Sequence, residues 1–230
     1  MMKNFIVFLS IFSNVLLFSQ TKMKPLEELI NDADPGWKFV SEWIQSAKNK
    51  VEILPVNKQK ATDVLFKTQV TTSSPMGAII YETGGLLIDN GWIRILGSGS
   101  EKLTRNIAEW NLGKSFNEFG QSVPYLLVAD DAIGGFFILN GGEFGNDLGK
   151  IYYFAPDTLE YEPLDITYSQ FLDFCFNNNL TDFYKGFRWK KWKEDVSKLN
   201  ADSVYNFYPY LWTKEGKNIE KISKKNPLQG

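Results

Sequence analysis

The side chains best able to do chemistry in this sequence are acids placed beside turns. Asp130 and Asp131 precede Gly134-Gly135, and the glycine-rich loop 140–149 adds Glu143 and Asp147. Together these four could gather around a calcium ion, which takes a shell of oxygens. Two acids at a fixed separation could also act as acid and base on a glycoside. Asp89, Asp130, Asp131 and Glu143 converging in one cleft are the set that a carboxylate-dependent hydrolase of glycans or phosphoesters would need. The spacing is not that of an EF-hand, and acids at turns ordinarily cap backbone amides.

A second candidate is Gly97-Ser98-Gly99-Ser100, which follows a β-type run and has Lys102 and Arg105 nearby. Small residues let amide groups converge on an anion. Neither a P-loop nor a dinucleotide-binding spacing is present, so ordinary turn chemistry also accounts for the segment. Arg94 lies between Ile93 and Ile95 in the preceding run and faces away from them. If that face is covered, its guanidinium requires a carboxylate, with Glu82 and Asp89 the nearest candidates. A structural pair is the expected role.

The third candidate is cationic. Lys185, Arg188, Lys190, Lys191 and Lys193 fall within nine residues and alternate with rings. Such a patch could touch an anionic membrane surface. Trp189, Trp192, Val196 and Leu199 recur at helical spacing, however, which makes the rings a buried face and the lysines a wet one.

Composition removes more chemistry than these segments supply. The 230-residue chain has no histidine and one cysteine, Cys175. Imidazole-dependent triads and dyads are therefore excluded, as are the usual catalytic zinc sites, CxxC redox pairs and internal disulfides. No catalytic set, metal or cofactor is assigned. A formal charge of −2 gives no global attraction for polyanions, and no nucleic-acid partner is expected. Cys175 falls on the apolar face of a helical pattern with Tyr168, Phe171 and Leu172, as a small buried hydrophobe would.

These groups must be positioned by a block of strands between helices. Residues 1–19 have a basic start and an apolar stretch too short to span a bilayer comfortably, which is the pattern of a signal peptide for export to the periplasm or outside. No cysteine at the junction provides a lipid anchor. Translation from Met23 would give a cytoplasmic chain instead. Helices are expected at 26–30, from Asp34-Pro35 onward, and at 58–66 behind an Asn57 cap. Ala61, Val64 and Leu65 should face inward. Strands are expected at 51–54, 77–81, 86–88, 92–96, 125–128, 136–139 and 151–154, with Asn90-Gly91 as a type I′ hairpin turn. Helices return at 167–177 and 189–199. The pattern reads as one α+β domain, residues 24–213, with a mainly antiparallel sheet flanked by helices and a basic, fraying tail at 214–230.

Several stretches are similar to known families. Leu26-Glu-Glu-Leu-Ile, the Pro-Gly-Trp helix start, Ser74-Pro-Met-Gly-Ala-Ile-Ile-Tyr-Glu-Thr-Gly-Gly and Gly91-Trp-Ile-Arg-Ile-Leu-Gly-Ser-Gly-Ser resemble a bacterial family known as domain of unknown function twenty-six twenty-five. The likeness covers about residues 26–211. More loosely, Ala129-Asp-Asp-Ala-Ile-Gly-Gly-Phe-Phe-Ile-Leu-Asn, Gly149-Lys-Ile-Tyr-Tyr-Phe-Ala-Pro-Asp and Tyr168-Ser-Gln-Phe-Leu-Asp-Phe look like the SUKH superfamily. That resemblance implies an α+β fold that binds partner proteins, toxins among them, and brings no catalytic motif. A signal peptide departs from those mostly cytosolic relatives. The expected function is a non-enzymatic protein-binding module, possessing an aromatic surface patch to which Trp92, Phe136 or Tyr152 contribute.

Overall fold

The structure is a computed structural model that describes residues 23–217, residue 219 and the backbone of 223–229. The proposed signal peptide lies outside the described residues. Seven strands form one antiparallel sheet in which each strand pairs with the next in sequence: β1 (Val51–Ile53), β2 (Gly85–Ile88), β3 (Ile93–Leu96), β4 (Tyr125–Asp131), β5 (Phe136–Asn140), β6 (Lys150–Phe154) and β7 (Tyr161–Thr167). The α+β class with an antiparallel sheet is therefore what the structure shows. The helices are α1 (Leu26–Leu29), α2 (Trp37–Gln45), α3 (Lys58–Thr68), α4 (Pro75–Glu82), α5 (Ile107–Asn111), α6 (Tyr168–Asn177), α7 (Leu180–Phe183) and α8 (Trp192–Lys198). A separate ribbon pairs β8 (Ser203–Tyr208) with β9 (Ser223–Gln229), the latter inside the segment expected as a basic tail.

Strand alternation divides the sheet into two faces with different coverings. One carries Leu86, Ile95, Ala129, Phe137 and Tyr153 across four strand pairs. Helix α6 closes this face: the Phe171 ring lies 4.7 Å from that of Phe137. Cys175 is buried on the same helix. The other face carries Leu87, Arg94, Asp130 and Phe136 in register. It is partly covered by the chain at the start of β8, since the Tyr205 amide donates to the Ala132 carbonyl. Both sheet edges discourage further pairing. β1 has only three residues, while β7 contains Pro163 and a left-handed Asp165 (φ 57°).

Local chemistry explains where the helices begin. The Asn57 side chain accepts the Lys60 amide, and Ala61, Val64 and Leu65 of α3 are buried, as expected. Thr167 and Gln170 form a capping box at the start of α6.

Three local expectations are corrected. Residues 77–81 are helical, not extended: Ser74 caps the Gly77 amide and Pro75 opens α4. A five-residue apolar run has no decisive period, so the preceding Ser-Pro pair sets its conformation. Helix α2 starts at Trp37 because Gly36 packs against the Thr72 and Ser73 carbonyls, leaving Asp34 outside the helix. The β2–β3 hairpin forms, but through a 3-10 turn at Asp89–Gly91 with Asp89 and Asn90 both at positive φ, in place of a two-residue turn.

Candidate functional site

The acids beside the turns are held apart by the strand that carries them. Asp130 and Asp131 are consecutive in β4, so they face opposite sides of the sheet. Both are buried. The Arg94 guanidinium donates from Nε to Asp130 Oδ1 at 2.8 Å and from Nη2 to Oδ2 at 3.0 Å. Its other contacts are the Ser203 carbonyl (2.9 Å) and the Asp131 carbonyl (2.7 Å). Arg105 Nη1 reaches Asp130 Oδ2 at 2.7 Å, and Arg105 Nε reaches Asp202 at 3.1 Å. Arg94 is thus a structural pair, as expected, but its partner is Asp130 and neither Glu82 nor Asp89. Glu82 binds Lys58, and Asp89 binds Arg188. The cross-strand register places Arg94 directly opposite Asp130.

On the other face, Asp131 accepts four hydrogen bonds. The amides of Ile133 and Gly135 reach Oδ1 at 3.0 and 2.8 Å, and the hydroxyls of Tyr153 and Tyr184 reach Oδ2 at 2.7 and 3.1 Å. Burial nevertheless raises its carboxyl above the usual range, against those donors. It also pushes both tyrosine hydroxyls well above theirs. Asp147 is held elsewhere, by Asn140 and the Tyr152 hydroxyl, and Glu143 is exposed on its loop. Among the described residues there is no group of three or more potential metal-ligating acids and thiols.

This network makes folding sensitive to acid. Burial opposes charge on Asp130, but Arg94 and Arg105 outweigh it and hold the carboxyl below its usual range. Asp202 is lowered as well, against partial burial, by the Thr104 and Arg105 groups that donate to it. Carboxyls depressed by folding stabilise the native state above their unfolded pKa, and that contribution is lost as pH falls through the folded one. Asp131, raised by folding, acts in the opposite sense. We expect the urea midpoint to fall as pH drops from 7 to 3, and expect Asp202→Asn to flatten that dependence. Identical slopes in both proteins would contradict the assignment.

The other two candidates are also absorbed by structure. The amides of Ser98, Gly99 and Ser100 donate to the carbonyls of Thr83, Gly84 and Leu103, and the Ser98 hydroxyl donates to Thr83. Gly97 is pressed against Thr83 and Gly84-Gly85, where a Cβ would meet the Gly85 nitrogen at 2.7 Å. Lys102 turns to Glu52. The loop therefore leaves β3 by packing back against the start of β2, and those three amides are already engaged. In the cationic stretch, Lys185, Lys190, Lys191 and Lys193 are exposed, while Arg188 turns inward to Asp89 at 2.7 Å and lies over the Trp192 ring at 4.0 Å. Trp189 is buried, and Trp192 packs against the core. The rings that would enter a headgroup layer are thus turned inside.

Trp92 is corrected from a surface residue to a fully buried one, ringed by Tyr184, Trp189 and Trp192 at 5.1–5.8 Å. Tyr152 is likewise buried, and Phe136 is half-buried beside Phe154. The exposed rings lie elsewhere. Tyr208, Tyr210 and Trp212 are 57%, 43% and 47% exposed, so about half of each large ring faces water. Tyr210 and Trp212 stack at 4.5 Å with planes 5° apart, and Tyr208 meets Tyr210 edge-on at 6.3 Å.

Beside them runs a groove of about 320 Å³. Two stretches of chain provide most of its walls: Phe154, Pro156 and Leu159 from the β6–β7 connection, and residues 204–207 with 210–212 from β8 onward. None of the described lining residues is Asp, Glu, Lys or Arg. The sequence reading missed this site. Its signal was the alternation Tyr208-Pro209-Tyr210-Leu211-Trp212, which sends three large rings to one side while Leu211 is buried.

A meandering antiparallel sheet, closed by helices on one face and stitched through buried arginine–aspartate pairs, defines the architecture. The chain belongs to the family described as protein of unknown function DUF2625, whose model matches residues 26–228. An uncharacterised protein of Haemophilus influenzae is 48% identical over 189 residues, covering 82% of this chain and 83% of that protein. The uncharacterised protein YbfG of Escherichia coli strain K12 is 46% identical over 190 residues, covering 83% and 86%. No solved structure matches the chain.

Proposed function

We propose that this protein is a non-enzymatic protein-binding module whose contact surface is the aromatic groove at Leu159, Tyr210 and Trp212. The carrying observation is that three large rings stand half in water beside a groove whose described lining carries no charge. Exposed contiguous aromatic surface is costly in a soluble domain and is characteristic of binding sites, where Tyr and Trp supply much of the affinity. The hydrolase alternative gains no such support. Asp89, Asp130 and Asp131 are each taken by a separate partner, and Glu143 stands exposed on its loop.

The SUKH-like resemblance agrees with this reading and makes an immunity-type role the form it takes if the partner is a toxin; a toxin gene next door would favour that form. Export through residues 1–19 would place the interaction outside the cytoplasm.

A photo-crosslinking residue at position 212 tests the reading in cells. It should trap a protein that a crosslinker at Lys38, on helix α2, does not. That partner, purified, should bind the unaltered chain and lose roughly tenfold or more in affinity to Trp212→Ala. Unchanged affinity, or no adduct specific to position 212, would overturn the reading.

A further inference from the structure

We propose that the groove takes an uncharged, proline-rich segment of its partner in the polyproline II conformation. This deepens the protein-binding reading and rests on it. Three features of the groove point to that ligand.

The first is charge. With no ionised side chain among the described lining residues, a charged peptide would be desolvated there with none of those residues to pair with. The occupant is therefore uncharged where it touches the groove.

The second is hydrogen-bonding polarity. The Tyr210 hydroxyl, the Trp212 indole N–H and the Asn206 amide have no protein acceptor among the described residues, and all three residues line the groove. They offer donors to a ligand that supplies acceptors. A run of prolines has carbonyls and no N–H groups, so it meets these donors without burying donors of its own. An ordinary extended peptide would bring an N–H at every residue.

The third is shape. A groove of about 320 Å³ holds only a few residues, so little contact energy is available to offset ordering a flexible chain. Polyproline II is already ordered before binding, and its ridges pack between aromatic rings. The Tyr210–Trp212 stack and the Pro156–Leu159 wall provide such rings and an apolar counterface. A glycan would also stack on rings, but its many hydroxyls call for acceptor side chains as well as donors, and the described lining has no carboxylate to supply them.

The experiment is a tryptophan-fluorescence and calorimetric titration of the purified full chain with N-acetylated decaproline. Controls are a glycine–serine peptide of equal length and a chito-oligosaccharide. We expect saturable binding of decaproline, little dependence on salt because no charges pair, and roughly tenfold or greater weakening in Trp212→Ala and in Tyr210→Ala. Both positions are exposed, and circular dichroism of each variant is the check that it folds. The inference is overturned by no saturation with decaproline, by equal binding of the glycine–serine peptide, or by preference for the oligosaccharide. It is also overturned if the groove is instead filled by a second copy, seen as concentration-dependent dimerisation that Trp212→Ala abolishes. A crosslinked protein partner combined with failure of decaproline would remove this inference alone, and leave the protein-binding reading intact.

Discussion

Asp130→Ala should destabilise the fold by about 3–5 kcal/mol, the usual effect of removing one partner from a buried ion pair. Its carboxylate receives two bonds from Arg94 and one from Arg105, and all three side chains are at least nine-tenths buried. Without it, Arg94 keeps the carbonyls of Ser203 and Asp131, which satisfy N–H groups but do not neutralise charge. Arg105 keeps Asp202. Since domains are stable by only about 5–15 kcal/mol, the loss is a large fraction of the total. Urea denaturation measures it. Replacing Arg94 and Asp130 together by Met and Leu should recover much of the loss, because no strong charge is then left stranded on that strand pair. A single variant within 1 kcal/mol of the unaltered protein would mean that water reaches the pair.

The second large effect is at Trp92. Trp92→Ala should cost about 3–5 kcal/mol, the range for deleting a fully buried large ring. The removed side chain touches the rings of Tyr184, Trp189 and Trp192 and lies under the Arg188 guanidinium at 4.9 Å. Those four residues run from the end of α7 to the first residue of α8, so the indole joins that stretch to the β2–β3 hairpin. The effect should therefore be regional as well as global. Amide exchange in α8 should accelerate more than in α3, and Trp92→Phe should restore part of the protection. Uniform acceleration across both helices would show that the ring contributes only bulk.

How far the fold could be read depended on the range of the forces involved. The Asn57 cap, the inward Ala61, Val64 and Leu65, and the Thr167 helix start are settled by neighbours in sequence, and all were legible. Six of the seven expected strands, at 51 and between residues 85 and 154, form beside turn residues that mark their ends. Strand β7 was missed because Pro163 reads as a strand breaker, and it is tolerated only at a sheet edge. The partner of Arg94 was illegible for another reason. Asp130 is 36 residues away, and only the β3–β4 register brings the two opposite. The exposed rings were missed because burial cannot be read from residue type: Trp92 and Trp212 look equally apolar, yet one is sealed and the other half open.

The nearest-neighbour order of the sheet has a consequence for how the chain is made. Every strand of the sheet finds its partner in a segment already synthesised, so the meander can zip up as it leaves the ribosome. Arg94 waits longer, because its Ser203 contact spans 109 residues. Until that late stretch emerges, the nascent sheet carries a guanidinium whose cover is still missing. The C-terminal portion therefore works as a lock that is fitted last, and a chain that stalls before it leaves a half-finished product for quality control.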